Sequence, residues 1–239
     1  MKKILLGSLL ITSLVLGFQA DLNQEKPLTT HTELGYIKTD GNTDTQTFNL
    51  DAKAKKTWGK HVGNIIVDAQ YADDSGVTKK NKYLIELDYN YELQSRFAWT
   101  YLAGYKSDKF SNFNYQAYSG PGAQYKAIVS DMHNLYLEGN ILYSIDELES
   151  GKDDKYAAYR AKAVYTWQVL KNLKFNQDLS FRGSLKELNN YFIFSKTAFT
   201  SKLSDMFSAG LSYKVDYVNE PGLKDNTDTT LTANLIIDY

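Results

Sequence analysis

With 27 Lys and Arg against 28 Asp and Glu in 239 residues, a formal net charge of −1, the chain lacks the basic excess of a nucleic-acid-binding protein. It has no cysteine, which excludes a disulfide-stapled secreted module and a lipid anchor on an N-terminal cysteine. Nineteen Tyr, 11 Phe and 3 Trp beside only 3 Pro favour strands, and the mean hydropathy of −0.44 averages over two very different faces.

The first residues, MKKILLGSLLITSLVLGFQA, place two lysines before an apolar run and read as a secretory signal peptide over 1–20. A retained anchor is the alternative, but Ile4–Phe18 is short of the about 20 residues of a spanning helix. Loss of Met1–Ala20 deletes Lys2 and Lys3 and no acid, taking the net charge from −1 to −3. Residues 21–29, DLNQEKPLT, read as a flexible leader, and 30–239 as one domain.

From Thr30 onward a two-residue period predicts twelve strands, at about 30–38, 45–58, 61–72, 80–92, 97–107, 114–128, 134–146, 156–169, 173–183, 190–202, 207–218 and 228–239. In KYLIELDYNYEL (82–93), for example, Tyr83, Ile85, Leu87, Tyr89 and Tyr91 share one face and Lys82, Glu86, Asp88 and Asn90 the other. The connections alternate. Tight ones lie at 59–60, 92–95, 130–132, 170–172 and 204–205; longer polar ones lie at 39–44, 73–79, 108–113, 148–154, 184–189 and 219–226. Short turns on one rim and longer loops on the other are expected of an outer-membrane barrel, and an even strand count puts both termini on the short-turn, periplasmic rim.

Alternation alone does not say which face is inside. Strand length helps: the predicted strands exceed the globular mode of about 5–6 residues and suit the about 9–11 that cross a bilayer. The apolar face also carries Tyr and Trp towards strand ends with small aliphatics between, as in Phe48, Leu50, Ala52, Ala54 and Trp58, or Tyr159, Ala161, Ala163, Tyr165 and Trp167; rings at headgroup depth can be half wet. The opposite face carries Asp51, Lys53, Lys55, Asp68, Glu86, Asp88, Lys106, Lys126, Glu138, Arg160, Lys162, Asp178, Arg182, Lys214 and Asp216. One Lys or Arg facing lipid at mid-depth costs roughly 2–4 kcal/mol, so several would exceed the on the order of 5–15 kcal/mol stability of a domain. These residues are therefore expected to line the lumen. The chain ends mid-strand, LTANLIIDY, on an outward aromatic, Tyr239, which looks like the sorting signal read by the barrel-assembly machinery.

The fold class expected is thus all-β: a transmembrane antiparallel up-and-down barrel of about 12 strands. ELGYIKTDGNTDTQTFNLDAKAKKTWGK (33–60), SDKFSNFNYQAYSGPGAQYK (107–126) and EPGLKDNTDTTLTANLIIDY (220–239) resemble the domain-of-unknown-function 481 family, whose members are described as outer-membrane barrels, some induced by salt stress. The resemblance implies fold and location and brings no catalytic residues. One departure is Pro121 in Gly120-Pro121-Gly122, where a mid-strand proline is expected to force a bulge and shift the register over 119–123.

Little else suggests chemistry. His31, His61 and His133 all fall near the short-turn rim with no readable serine partner, so no enzyme activity is expected. Asp40-Gly41-Asn42-Thr43-Asp44 imitates the start of a calcium loop but lacks its later ligands, and fits a hairpin turn better. No cofactor or metal is expected. The acidic loops at Asp73-Asp74 and Asp146–Asp154 are solvated charge or could hold divalent ions between lipopolysaccharide phosphates. The partners expected are outer-membrane lipid and lipopolysaccharide and the barrel-assembly machinery. Twelve strands at ~4.8 Å spacing and ~40° tilt give a backbone radius of roughly 12 Å, which inward side chains narrow to a few ångströms. A narrow channel or passive envelope component, a filled structural or stress barrel without transport, and a soluble periplasmic β-protein that binds an apolar ligand remain as readings. Four substitutions discriminate among them: Asp88→Ala or Lys53→Ala loosens a filled barrel, and Leu235→Arg harms assembly more than Thr232→Arg if the faces are assigned correctly.

Overall fold

A computed structural model describes residues 28–39, 45–111, 113–219 and 226–239. The segment read as a signal peptide, most of that read as a leader, the stretch containing Asp40–Asp44 and most of 219–226 lie outside the described residues. Twelve strands follow in chain order: β1 (Thr29–Thr39), β2 (Thr45–Trp58), β3 (His61–Asp74), β4 (Val77–Glu92), β5 (Phe97–Asp108), β6 (Phe113–Val129), β7 (His133–Leu148), β8 (Asp153–Leu170), β9 (Leu173–Ser184), β10 (Tyr191–Lys202), β11 (Phe207–Asn219) and β12 (Thr227–Asp238). Each pairs antiparallel with its sequence neighbours, and β12 returns to β1 to close an all-β barrel. No helix is long and apolar enough to cross a membrane, which says nothing of a strand barrel.

The face pattern follows the alternation. On β4, Tyr83, Ile85 and Leu87 point outward, 40%, 43% and 51% exposed, while Lys82, Glu86 and Asn90 point inward at 5%, 6% and 5%. Aromatic pairs run round the outside, among them Tyr89 on Trp99 and Phe175 on Phe199. At the lower end, Trp58 stacks on His61 and Trp167 on His133.

The outer connections are shorter than expected. The seven-residue loop read at 73–79 is a two-residue turn, Ser75-Gly76, with φ of 53° and 81°; both central residues are left-handed, as a type I′ hairpin turn demands. The strands β4, β6, β7 and β8 reach 16, 17, 16 and 18 residues. Eighteen residues span about 60 Å, well beyond the ~30 Å hydrocarbon core even when tilted. Strand that stands clear of a membrane needs no apolar face, so periodicity could not distinguish it from loop.

Pro121 does not shift the register. The β5–β6 ladder runs unbroken through Thr100–Gly122, Tyr101–Pro121 and Leu102–Gly120. Against β7 only the pairs opposite Gly120 and Pro121 lapse, and the offset resumes unchanged at Gly122–Asn140. The proline ring faces outward, and its inward neighbour Gly120 lets β7 come close: a Cβ there would lie 2.0 Å from the Ile141 carbonyl oxygen. The irregularities fall instead at Phe113/Tyr115 and Lys126/Ile128.

The seam is uneven. β1 and β12 pair at His31–Asp238, Thr32–Ile237, Glu33–Ile236 and Leu34–Leu235, extended below by reciprocal bonds between Thr30 and Tyr239. Above Leu34 the ladder stops, although β1 stays paired with β2 up to Thr39. Leu231, outward on β12, is 64% exposed.

The interior also holds an apolar cluster that alternation did not reveal: Leu102, Leu142, Tyr156 and Ala158, with Tyr118 against it. On β5, Phe97–Gly104 is apolar or small everywhere but Thr100, so no contrast marked Leu102 as the inward residue.

Candidate functional site: a charged barrel interior

Each wall carries like charges side by side. Glu33, Asp51 and Asp68 are direct partners across β1, β2 and β3. Facing them, Lys196 and Lys214 are direct partners across β10 and β11. Like charges directly opposite in a sheet repel, so neither wall is favourable alone. The barrel brings them together: Lys196 reaches Glu33 at 2.7 Å and Asp51 at 3.1 Å, and Lys214 reaches Asp51 at 2.8 Å and also bonds Asp68. Asn234 adds a donor to Glu33 at 2.7 Å.

A second set of contacts crosses the full width. Lys82 of β4 meets Asp216 of β11 at 2.5 Å, and Lys106 of β5 lies 3.8 Å from the same carboxylate. β5 and β11 are diametrically opposite in the strand order. Tyr118 donates to Glu86 at 2.6 Å, Arg160 lies 3.6 Å from Glu86 and 3.7 Å from Glu138, and Lys162 pairs with Asp178 at 3.2 Å. The guanidinium carbon of Arg182 lies over the rings of Tyr118 and Phe192, 4.5 and 4.4 Å from their centroids. Phe192 in turn lies 6.1 Å from Phe113 of β6.

These groups surround a cavity of about 300 Å³. Of the residues expected in the lumen, Asp51, Lys53, Asp68, Glu86, Lys106, Arg160, Lys162, Asp178, Arg182 and Asp216 line it. Lys214 and Glu138 join through the ion pairs above. Asp88 accepts a bond from Asn90 at 2.9 Å, Lys126 pairs with Glu92 at 2.7 Å, and Lys55 lies in a separate hollow with Asp205, Asp238 and Tyr239 at the end where the chain terminates. Glu33, Lys196, Gln116 and Tyr118 belong to the interior but were not singled out from sequence, and Lys82, read there only as part of the polar face of 82–93, joins them. Lys82 and Lys196 share the parity of their strands' inward faces, and that parity was the signal available. Thr232 is inward, as expected, but too tight to serve as a tolerant control: a Cβ on Gly35 would lie 2.4 Å from its methyl group.

The Lys53→Ala expectation also changes. Lys53 is exposed and has no ion pair among the described residues. Its replacement is expected to alter unfolding stability by less than about 0.5 kcal/mol, measured by denaturant titration of the folded barrel in detergent.

The histidines divide. His31 Nδ1 lies 2.6 Å from Asp238 and Nε2 3.2 Å from Glu33. His61 and His133 instead lie 2.6 and 2.8 Å from the hydroxyls of Tyr89 and Tyr165 on the outer surface. At the outer loops, Lys186 pairs with Asp154 at 2.8 Å, and this hydrogen bond raises the lysine pKa. Asp153 pairs with Lys155 at 3.2 Å, and Asp73 caps the Gly76 N–H at 2.9 Å. Among the described residues no group of three or more His, Asp or Glu is placed to hold a metal ion.

A family model described as protein of unknown function, DUF481, matches residues 32–239. No curated protein matches the sequence. Among solved structures, an outer-membrane channel from Pseudomonas putida F1 superposes with a TM-score of 0.52 at 8% identity, over 92% of this chain and 98% of that one. The NanC porin gives 0.47 at 11% identity, over 89% and 98%. The translocator domain of the autotransporter NalP from Neisseria meningitidis gives 0.48 at 8% identity, over 89% and 87%. At such identities the first likeness speaks for the barrel fold alone.

Proposed function

The chain belongs to the DUF481 family of unknown function, and we propose that it is an integral bacterial outer-membrane barrel offering a narrow, charge-lined path to ions or small solutes, held shut by ion pairs across its lumen. The observation that carries this reading is the opposition of faces. Ile85, Leu87, Trp99, Leu211 and Leu235 are exposed on the outside, while Lys82, Glu86, Arg160 and Lys214 are buried within. An apolar belt of on the order of 2,000 Å² is far more than a soluble monomer leaves bare, and lipid covers it. In this reading Met1–Ala20 directs export, lipid and lipopolysaccharide surround the belt, and Tyr239 is the mark recognised by the assembly machinery. A role in salt stress, implied by the family resemblance, belongs to the same proposal.

Purified protein in planar bilayers is expected to give small, infrequent conductance steps. Asp216→Asn, which releases both Lys82 and Lys106, is expected to make them larger or more frequent. Traces flat at all voltages for both proteins would reject the channel and leave a filled structural barrel without transport, the reading that the Lys106–Asp216 span favours. Extraction of the mature chain into buffer without detergent would reject the membrane assignment itself.

A further inference from the structure

We propose that the cavity holds a binding site for a small organic carboxylate, centred on the guanidinium of Arg182. Arg182 is 8% exposed and lines the cavity, and its Nη1 has no hydrogen-bond partner. No carboxylate lies within ion-pair distance of it among the described residues. Gln116, 4% exposed, lines the same cavity, and its Nε2 is likewise without a partner. Lys106, the direct ladder partner of Gln116, adds a second cation there, held only at 3.8 Å by Asp216.

Geometry selects the ligand. Tyr118 and Phe192 both pack against the guanidinium, so an acceptor is expected along the N–H edge rather than over the rings. A planar carboxylate matches that fork with two parallel bonds. Beside the fork the cavity wall is apolar, with Phe192, Phe194 and Leu84, which suits a ligand whose body is a ring or short chain. Two acids lie near, and neither forms an ion pair with Arg182. Asp146, the ladder partner of Gln116, accepts a bond from Tyr156 at 2.7 Å through one oxygen; its other oxygen is without a partner, and the residue does not line the cavity. Asp178, which has one unpartnered oxygen, is four residues down the same strand, about 13 Å away.

This inference deepens the channel reading by naming a solute class, yet it is tested without current. Sodium benzoate is titrated calorimetrically into the detergent-solubilised barrel against blank micelles, with unheated gel migration reporting that each protein is folded. Saturable one-to-one binding is expected. Arg182→Lys, which keeps the charge and loses the fork, is expected to weaken it at least tenfold, and Gln116→Leu about threefold to tenfold. No saturable binding by the folded wild-type protein overturns the site, as does undiminished affinity in Arg182→Lys. Tighter binding of inorganic phosphate than of benzoate overturns the carboxylate assignment. A silent bilayer trace together with benzoate binding would remove the channel and leave the site standing.

Discussion

Ile65→Arg is expected to destabilise the barrel in lipid by about 2–4 kcal/mol, while Ile66→Arg, one residue along, is expected to cost about 1 kcal/mol or less. The two positions carry the same side chain on the same strand. Ile65 is 41% exposed on the outer belt, whereas Ile66 lines the interior cavity beside Lys53. An arginine at 65 must be pushed into hydrocarbon or bend towards headgroups; at 66 it enters a wet, charged space with acids within reach. Urea titration of protein reconstituted in vesicles, followed by the gel shift of the folded form, gives both values. Equal losses would mean that no membrane distinguishes the two faces, and a larger loss at 66 would mean that the faces are reversed.

Lys214→Met is expected to cost about 3–5 kcal/mol, because it strands the buried carboxylate of Asp68 against Asp51, the acid it faces. Asp51 and Asp68 are direct ladder partners, and Lys214, 3% exposed, bonds both. The second expectation follows from the first. Adding Asp68→Asn removes one of the two repelling charges and leaves Asp51 its contact with Lys196 at 3.1 Å. The double variant should then recover at least half of the lost stability, a coupling that separate effects would not give. The same denaturant titration checks it, and strict additivity would show that the walls do not hold each other.

The barrel, its strand number and its two faces were legible because an apolar outer face and a charged lining impose a two-residue period across β2 to β12. Three things were not. The outer reaches of β4 and β8 carry no sustained apolar face, so Val77–Lys79 and Asp153–Asp154 read as loop. The partnering of inward charges depends on which strands face each other across the closed ring, as Lys106 and Asp216 do, and no local pattern carries that. The site around Arg182 joins β5, β6, β9 and β10 through Lys106, Gln116, Tyr118, Arg182 and Phe192, and neither Tyr118 nor Phe192 is charged, so the search for buried charge passed over the two rings that orient the guanidinium.

The join between first and last strands is fastened at its lower end, from Thr30–Tyr239 to Leu34–Leu235, and unlaced above. A hoop buckled that way has a built-in direction of failure. Stress that widens the cylinder is borne by those few rungs, so the terminal tyrosine acts as the clasp of the circle, and parting would spread downward from the open lip towards it.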